Sequence, residues 1–284
     1  MEESNSIHAS EETIVSLLDD TDSRGSVVAM QLLLSHPDSE AIVLRLQDSE
    51  NPRIRRRIHQ VSNVLRQRRL CSHLTKMMSS YVIDSFWDIL RELTIVYDYR
   101  FTQATLDEML DGFFERLNLG SPRSSDLLRA VKKLDLKVPR NSQSFEFPMF
   151  FLSEVVDSSL GHELVFCALL NEAYKRKGWS SAVTIYEGKF MLQLPDKNVV
   201  SPADDWAVMK KIDSSRFHLC LEIEMFRTYM ALIHSASVID CQPFDLCIFT
   251  KIMTDSMGYA LRDMPYPLGD WQYVSRDAKK SSKK

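Results

Sequence analysis

Cysteine, histidine and arginine are the residues whose types and spacing bear on chemistry in this sequence. The five cysteines, Cys71, Cys167, Cys220, Cys241 and Cys247, form an odd set with no CxxC pair. His218-x-Cys220 and Cys241-x5-Cys247 lack the tight paired spacing of a zinc site and stand among Leu219, Leu221, Leu246 and Ile248, so no metal-ligand set is read from them. Four of the five fall in apolar stretches of helical pattern, which predicts reduced core thiols in a reducing, cytoplasmic compartment. No GxxxxGK(S/T), GxGxxG, GxSxG or HExxH string occurs, so no nucleotide, serine-hydrolase or zincin chemistry is indicated and no cofactor is expected. Seven arginines stand close together: Arg53, Arg55, Arg56, Arg57, Arg66, Arg68 and Arg69. Such a basic face suits phosphate or an acidic partner, yet on a helix that turns Ile54, Ile58, Val61 and Leu65 inward a solvated or salt-bridged outer face is the commoner reading. Nucleic acid is an alternative partner, opposed by the absence of an interleaved aromatic row.

The elements that must carry these residues follow from composition and periodicity. The 284 residues include 35 Lys and Arg against 39 Asp and Glu, for a net charge of −4, with 44% hydrophobic residues. This is the profile of a globular protein with ample core, and its acidic balance argues further against nucleic acid. Only 8 Gly and 10 Pro argue against propellers and turn-rich all-β folds and favour long helices with short loops. The acidic start MEESNSIHASEE has no apolar segment, and no run approaches the ~18 apolar residues a membrane span needs, so neither secretion nor membrane insertion is expected.

A weak internal repeat occupies the first 70 residues. Leu17-Leu18-Asp19-Asp20 precedes the apolar run 27–34, and Leu46-Gln47-Asp48 precedes a helix opening near Pro52, with Asp20 and Asp48 at equivalent places. A helix ending in Leu-x-Asp, a polar turn and a second helix is the pattern of HEAT-like pairs. Residues 74–134 read as three or four amphipathic helices, with one buried stripe from Phe86, Trp87, Leu90, Leu93, Thr94 and Tyr97 and another from Leu106 to Leu117. A helix from Gly161 closes at Lys175-Arg176-Lys177-Gly178, and alternation over 181–186 and 189–194 around Glu187-Gly188 predicts a hairpin. Val199-Val200 adds a short strand, and 216–234 and 244–257 return to helical period. The basic end, 279–284, reads as disordered.

One stretch resembles a known family. Asn141…Phe147-Pro148…Phe151-Leu152-Ser153-Glu154-Val155-Val156…Gly161…Leu170-Asn171-Glu172-Ala173…Gly178…Gly188-Lys189-Phe190-Met191-Leu192 is similar to the transglutaminase-like core of the SirB family of bacterial proteins. The resemblance implies an α+β, mainly α fold. It comprises a HEAT-like helical region over 1–72, a helical segment over 73–140 and a papain-like core with a small antiparallel sheet over 141–213. A helical C-terminal region over 214–264, comparable to a shortened tetratricopeptide tail, and a basic flexible tail over 265–284 complete it.

Catalytic members of that superfamily use a Cys at the start of the core helix, a His on the next strand and an Asp on the strand after. The matching positions here hold Glu163, Lys189 and Ser201, so the resemblance implies a non-catalytic relative that binds a protein partner as a regulator or adaptor. The expected binding residues are these three and the arginine face. One alternative is a cysteine-dependent acyl transferase or amide hydrolase, with Cys167 as nucleophile and His162 as base. Cys167 lies a turn beyond the helix start among Phe166, Ala168 and Leu169, which reads as a core thiol. His162 and Glu163 read as first-turn polar residues, with Glu163 complementing the helix dipole. The other alternative is a nucleic-acid-associated regulator using the basic face.

Overall fold

The computed structural model describes residues 10–78, 85–98, 100–139, 146–209, 216–240 and 243–257. The expectations placed on Asn141, Cys241 and the tail over 265–284 lie outside the described residues. The chain divides into two compact units, Met1–Ser72 and His73–Lys284. The architecture is α+β and mainly α.

In the first unit, α1 (Glu11–Asp19), α2 (Ser23–Ser35), α3 (Ser39–Leu46) and the opening turns of α4 (Pro52–Met78) enclose one core. Ile14, Leu18, Ala29, Leu33 and Ile42 meet Ile54, Ile58, Val61 and Leu65 there, all buried. The helix starts are built alike. The Asp22 carboxylate accepts from the Arg24 N–H at 2.9 Å, and the Asn51 amide oxygen accepts from the Arg53 N–H at 3.0 Å, each satisfying a donor the helix leaves orphaned.

The second unit is organised around α5 (Phe86–Tyr97). Eight of its twelve residues are buried, because α6 (Gln103–Leu117), α8 (Leu152–Ser158), α9 (Glu163–Arg176) and α10 (Glu222–Asp240) all pack on it. The single stripe expected from the sequence therefore becomes a helix buried on most sides, while Trp87 and Tyr97 are only half-buried. Even its polar residues are used internally: Thr94 Oγ1 donates to the Leu90 carbonyl and accepts from the Leu152 N–H at 3.1 Å, fixing α8 to α5. The remaining helices are α7 (Ser124–Leu134) and α11 (Pro243–Met257).

The sheet contains β1 (Ala182–Tyr186), β2 (Lys189–Gln193), β3 (Val199–Ser201), β4 (Ala207–Val208) and β5 (Phe217–Leu219) in the order β4-β3-β2-β1-β5, antiparallel throughout. Glu187 and Gly188, both at positive φ, make the tight turn of the β1–β2 hairpin. The helix expected over 216–234 is corrected at its start. Phe217-His218-Leu219 pairs with β1 as an edge strand, and α10 begins only at Glu222, where the Glu224 carboxylate accepts from the Leu221 N–H at 2.8 Å. Three residues show no helical period, so the free edge of β1 decides their state.

The cysteine reading is corrected as well. Cys167 is fully buried, but Cys71 and Cys220 are half-buried, Cys220 lies in the link between β5 and α10 rather than in a helix, and Cys247 is exposed; all four are free thiols.

Candidate functional site

The start of α9 is assembled with little slack. Gly161 is required by a close approach: a Cβ there would stand 2.9 Å from Val155 Cγ2 and 3.2 Å from the Phe166 ring. His162 caps α9, its Nδ1 accepting from the Leu164 N–H at 3.1 Å, and its ring stacks on Phe150 with centroids 5.0 Å apart. The ring is 5% exposed, and burial pushes its pKa down to about 4, so the imidazole is neutral at pH 7 with Nδ1 already occupied. The far end closes through a Schellman turn: Trp179 N–H reaches the Tyr174 carbonyl and Gly178 N–H the Lys175 carbonyl, with Gly178 at positive φ.

Glu163 is more than a solvated residue complementing the helix dipole. Its carboxylate accepts from the backbone N–H of Phe190 at 2.9 Å, crossing from α9 to β2. The β2–β3 ladder pairs Leu192 with Val200, so by continuation Phe190 lies opposite Pro202, where β3 gives way to a 3-10 turn, Pro202–Asp204. Glu163 thus occupies the place of a missing strand partner. Burial raises its pKa, opposed by the Phe190 N–H and the charge of Lys189.

Lys189 and Ser201 meet on a residue the sequence did not single out. Lys189 Nζ pairs with Asp204 Oδ1 at 2.5 Å, and Ser201 Oγ donates to Asp204 Oδ2 at 2.8 Å. The hydrogen bond from Lys189 is the main cause that holds the Asp204 carboxyl below its ordinary range; partial burial opposes it and Ser201 reinforces it. The structure therefore brings Glu163, Lys189 and Ser201 into one neighbourhood, with Asp204 as the bridge. The only available signal for Asp204 was its place just after Pro202 at a strand end. Trp206, two residues beyond Asp204, packs its ring against Phe166 and donates its indole N–H to the Leu136 carbonyl at 2.8 Å.

Chemically this cluster is closed. Ser201 is fully buried with its hydroxyl proton directed at a carboxylate, and the Lys189 amine is ion-paired. Cys167 is fully buried, and burial, with the charge of Glu163 second, pushes its thiol well above the ordinary range. A thiolate nucleophile needs the opposite surroundings.

The seven arginines separate in the structure. Arg68 donates to the Leu34 carbonyl at 3.1 Å, Arg69 pairs with Glu40 at 3.3 Å, and Arg55 reaches the Ser49 carbonyl. Arg66 also has a partner. Arg53, Arg56 and Arg57 line a hollow of about 330 Å³ with Thr21 and Gln60. A second hollow, of about 420 Å³, was not foreseen. It lies in the other unit, where Arg91 pairs with Asp88 and Asp107, and Arg176 with Asp111 and Glu172. The sequence hid it because its residues come from three helices.

Among the described residues, no group of three or more His, Cys, Asp or Glu could hold a metal ion, and no helix is long and apolar enough to cross a membrane. Comparison with protein-family models, curated proteins and solved structures finds no match.

Proposed function

We propose that this chain is a non-catalytic protein with a degenerate transglutaminase-like core and a HEAT-like helical region, and that it acts by binding a protein partner as a regulator or adaptor. The observation that carries the reading is the closed network at the three positions where such a core would need Cys, His and Asp. Glu163 serves the sheet, and Lys189 and Ser201 are both bound by Asp204. No exposed thiol, neutral imidazole or free hydroxyl is offered to a substrate there. The Lys189–Asp204 pair, partly exposed on both sides, supplies a polar rim for a peptide, and Arg53, Arg56 and Arg57 of the first unit supply a local basic hollow.

The non-catalytic half is tested by assaying the purified full chain and its Cys167→Ser variant for transfer and hydrolysis on amide and ester substrates. Both are expected to match the buffer blank. Turnover that disappears in Cys167→Ser would move the protein to the cysteine-dependent transferase class.

A further inference from the structure

We propose that the hollow formed by Arg53, Arg56 and Arg57 with Gln60 and Thr21 binds a single phosphomonoester group carried on a phosphorylated side chain of the protein partner. This rests on the protein-binding reading above and names the chemistry by which one partner would be recognised.

Spacing and surroundings argue for it. Residues 53, 56, 57 and 60 stand at i, i+3, i+4 and i+7, so one face of α4 carries three guanidinium groups and an amide around a space of about 330 Å³. Arg53 and Arg56 are exposed, and neither side chain has a hydrogen bond or ion pair with any described residue. Arg57 is fixed by donating to the Leu18 carbonyl, which leaves most of its guanidinium donors for a ligand. Like charges this close repel one another along a helix, and no acidic residue occupies the first turn of α4 to offset them.

The nearest loop does contain carboxylates, Asp19, Asp20 and Asp22 on either side of Thr21, but each is committed elsewhere. Asp19 accepts from the Asn51 amide, Asp20 from the Asp22 N–H and Asp22 from the Arg24 N–H. None of them lines the hollow or lies within ion-pair distance of the three arginines. The α4 start is itself satisfied by Asn51, so the site is made of side chains and not of a bare helix end.

A monoester suits this set better than a nucleic-acid backbone. It carries about −1.5 to −2 charge at pH 7 and three acceptor oxygens, matching three guanidinium groups that line a single hollow. A nucleic-acid track would need cations spread along a groove and a ring for stacking. Here Arg55, Arg68 and Arg69 are turned to their own chain's carbonyls and a carboxylate, and no aromatic residue lines the hollow.

The test is calorimetric titration of the full chain with capped phosphoserine amide, its unphosphorylated twin, inorganic phosphate and a short oligothymidylate. Capped phosphoserine is expected to bind saturably, the unphosphorylated twin not at all. Affinity should fall at least about tenfold in Arg53→Ala/Arg56→Ala, whose exposed side chains are not needed for folding, and hold in Arg69→Ala. It should also rise between pH 5.5 and 7.5 as the probe loses its second proton near pH ~6.

Absent phosphoserine binding, or equal binding by the double variant, would overturn the proposal. Inorganic phosphate binding as tightly as the capped amino acid would also overturn it, assigning the hollow to the free ion. Tighter oligothymidylate binding, lost in the double variant, would assign it to nucleic acid. A stoichiometric protein partner whose capture survives phosphatase would refute the phosphate site alone. A phosphate site with no protein partner would refute the reading it rests on.

Discussion

His162 sets an acid limit on this fold. Its pKa falls from the ordinary 6.5 to about 4 on folding, because the buried ring cannot easily accept charge. Between those values the unfolded chain binds the proton and the native chain does not, so stability must fall as pH drops from 6.5 towards 4, by roughly 3 kcal/mol over the window. Denaturant unfolding at pH 7, 5.5 and 4.5 should show this slope. His162→Asn, which retains a good cap, should start less stable at pH 7 yet show a flatter acid slope; an unchanged slope would mean that another group carries the effect. Asp204 acts in a lower window. Its depressed carboxyl contributes above the ordinary Asp range and loses that contribution as acid protonates it.

The thiols give a second residue-scale expectation. Cys247 should alkylate first, Cys71 and Cys220 more slowly, and Cys167 at least about tenfold slower than Cys247, reacting chiefly on global opening. Peptide mass spectrometry over an iodoacetamide time course at pH 7.5 reads the order. Rapid labelling of Cys167 would contradict its place in the core. The fate of Cys167 was legible because Phe166, Ala168 and Leu169 surround it in sequence. The role of Asp204 was not legible, since its partners Lys189 and Ser201 reach it only through strand pairing.

At the level of elements, the join between α9 and β2 depends on one carboxylate standing in for a strand. Glu163→Ala should cost about 1–3 kcal/mol, because the Phe190 N–H loses its acceptor. Glu163→Gln keeps an acceptor oxygen and sheds a charge that burial disfavours, so it should remain within about 1 kcal/mol of the parent chain. Chemical denaturation of the two variants separates a hydrogen-bonding role from an ionic one. Gly161→Ala should cost about 1–3 kcal/mol through its clash with Val155, and Val155→Ala in the same chain should recover part of that loss.

Elements with a long period or strong punctuation were readable. The end of α9 agrees with the Lys175-Arg176-Lys177-Gly178 stop, and the β1–β2 hairpin follows from alternation around Glu187-Gly188. Elements decided by their neighbours were not. β5 and β4 are three and two residues long and owe their state to open sheet edges, and α5 is buried beyond its stripe because four helices pack on it.

For the whole molecule, composition was enough to indicate a mainly helical protein, and Met1–Ser72 forms a compact unit with its own core. The division of the arginine face was beyond sequence, since which guanidinium finds a carbonyl or carboxylate depends on how α1, α2 and α3 meet α4. The most direct measurement of the central proposal, action by protein binding, is affinity capture of the tagged full chain from its own cells. Captured material would be quantified by mass spectrometry with and without nuclease. The expected result is one protein partner near equal stoichiometry that survives nuclease. A capture set that disappears with nuclease, or a chain recovered alone at every salt concentration, would contradict it.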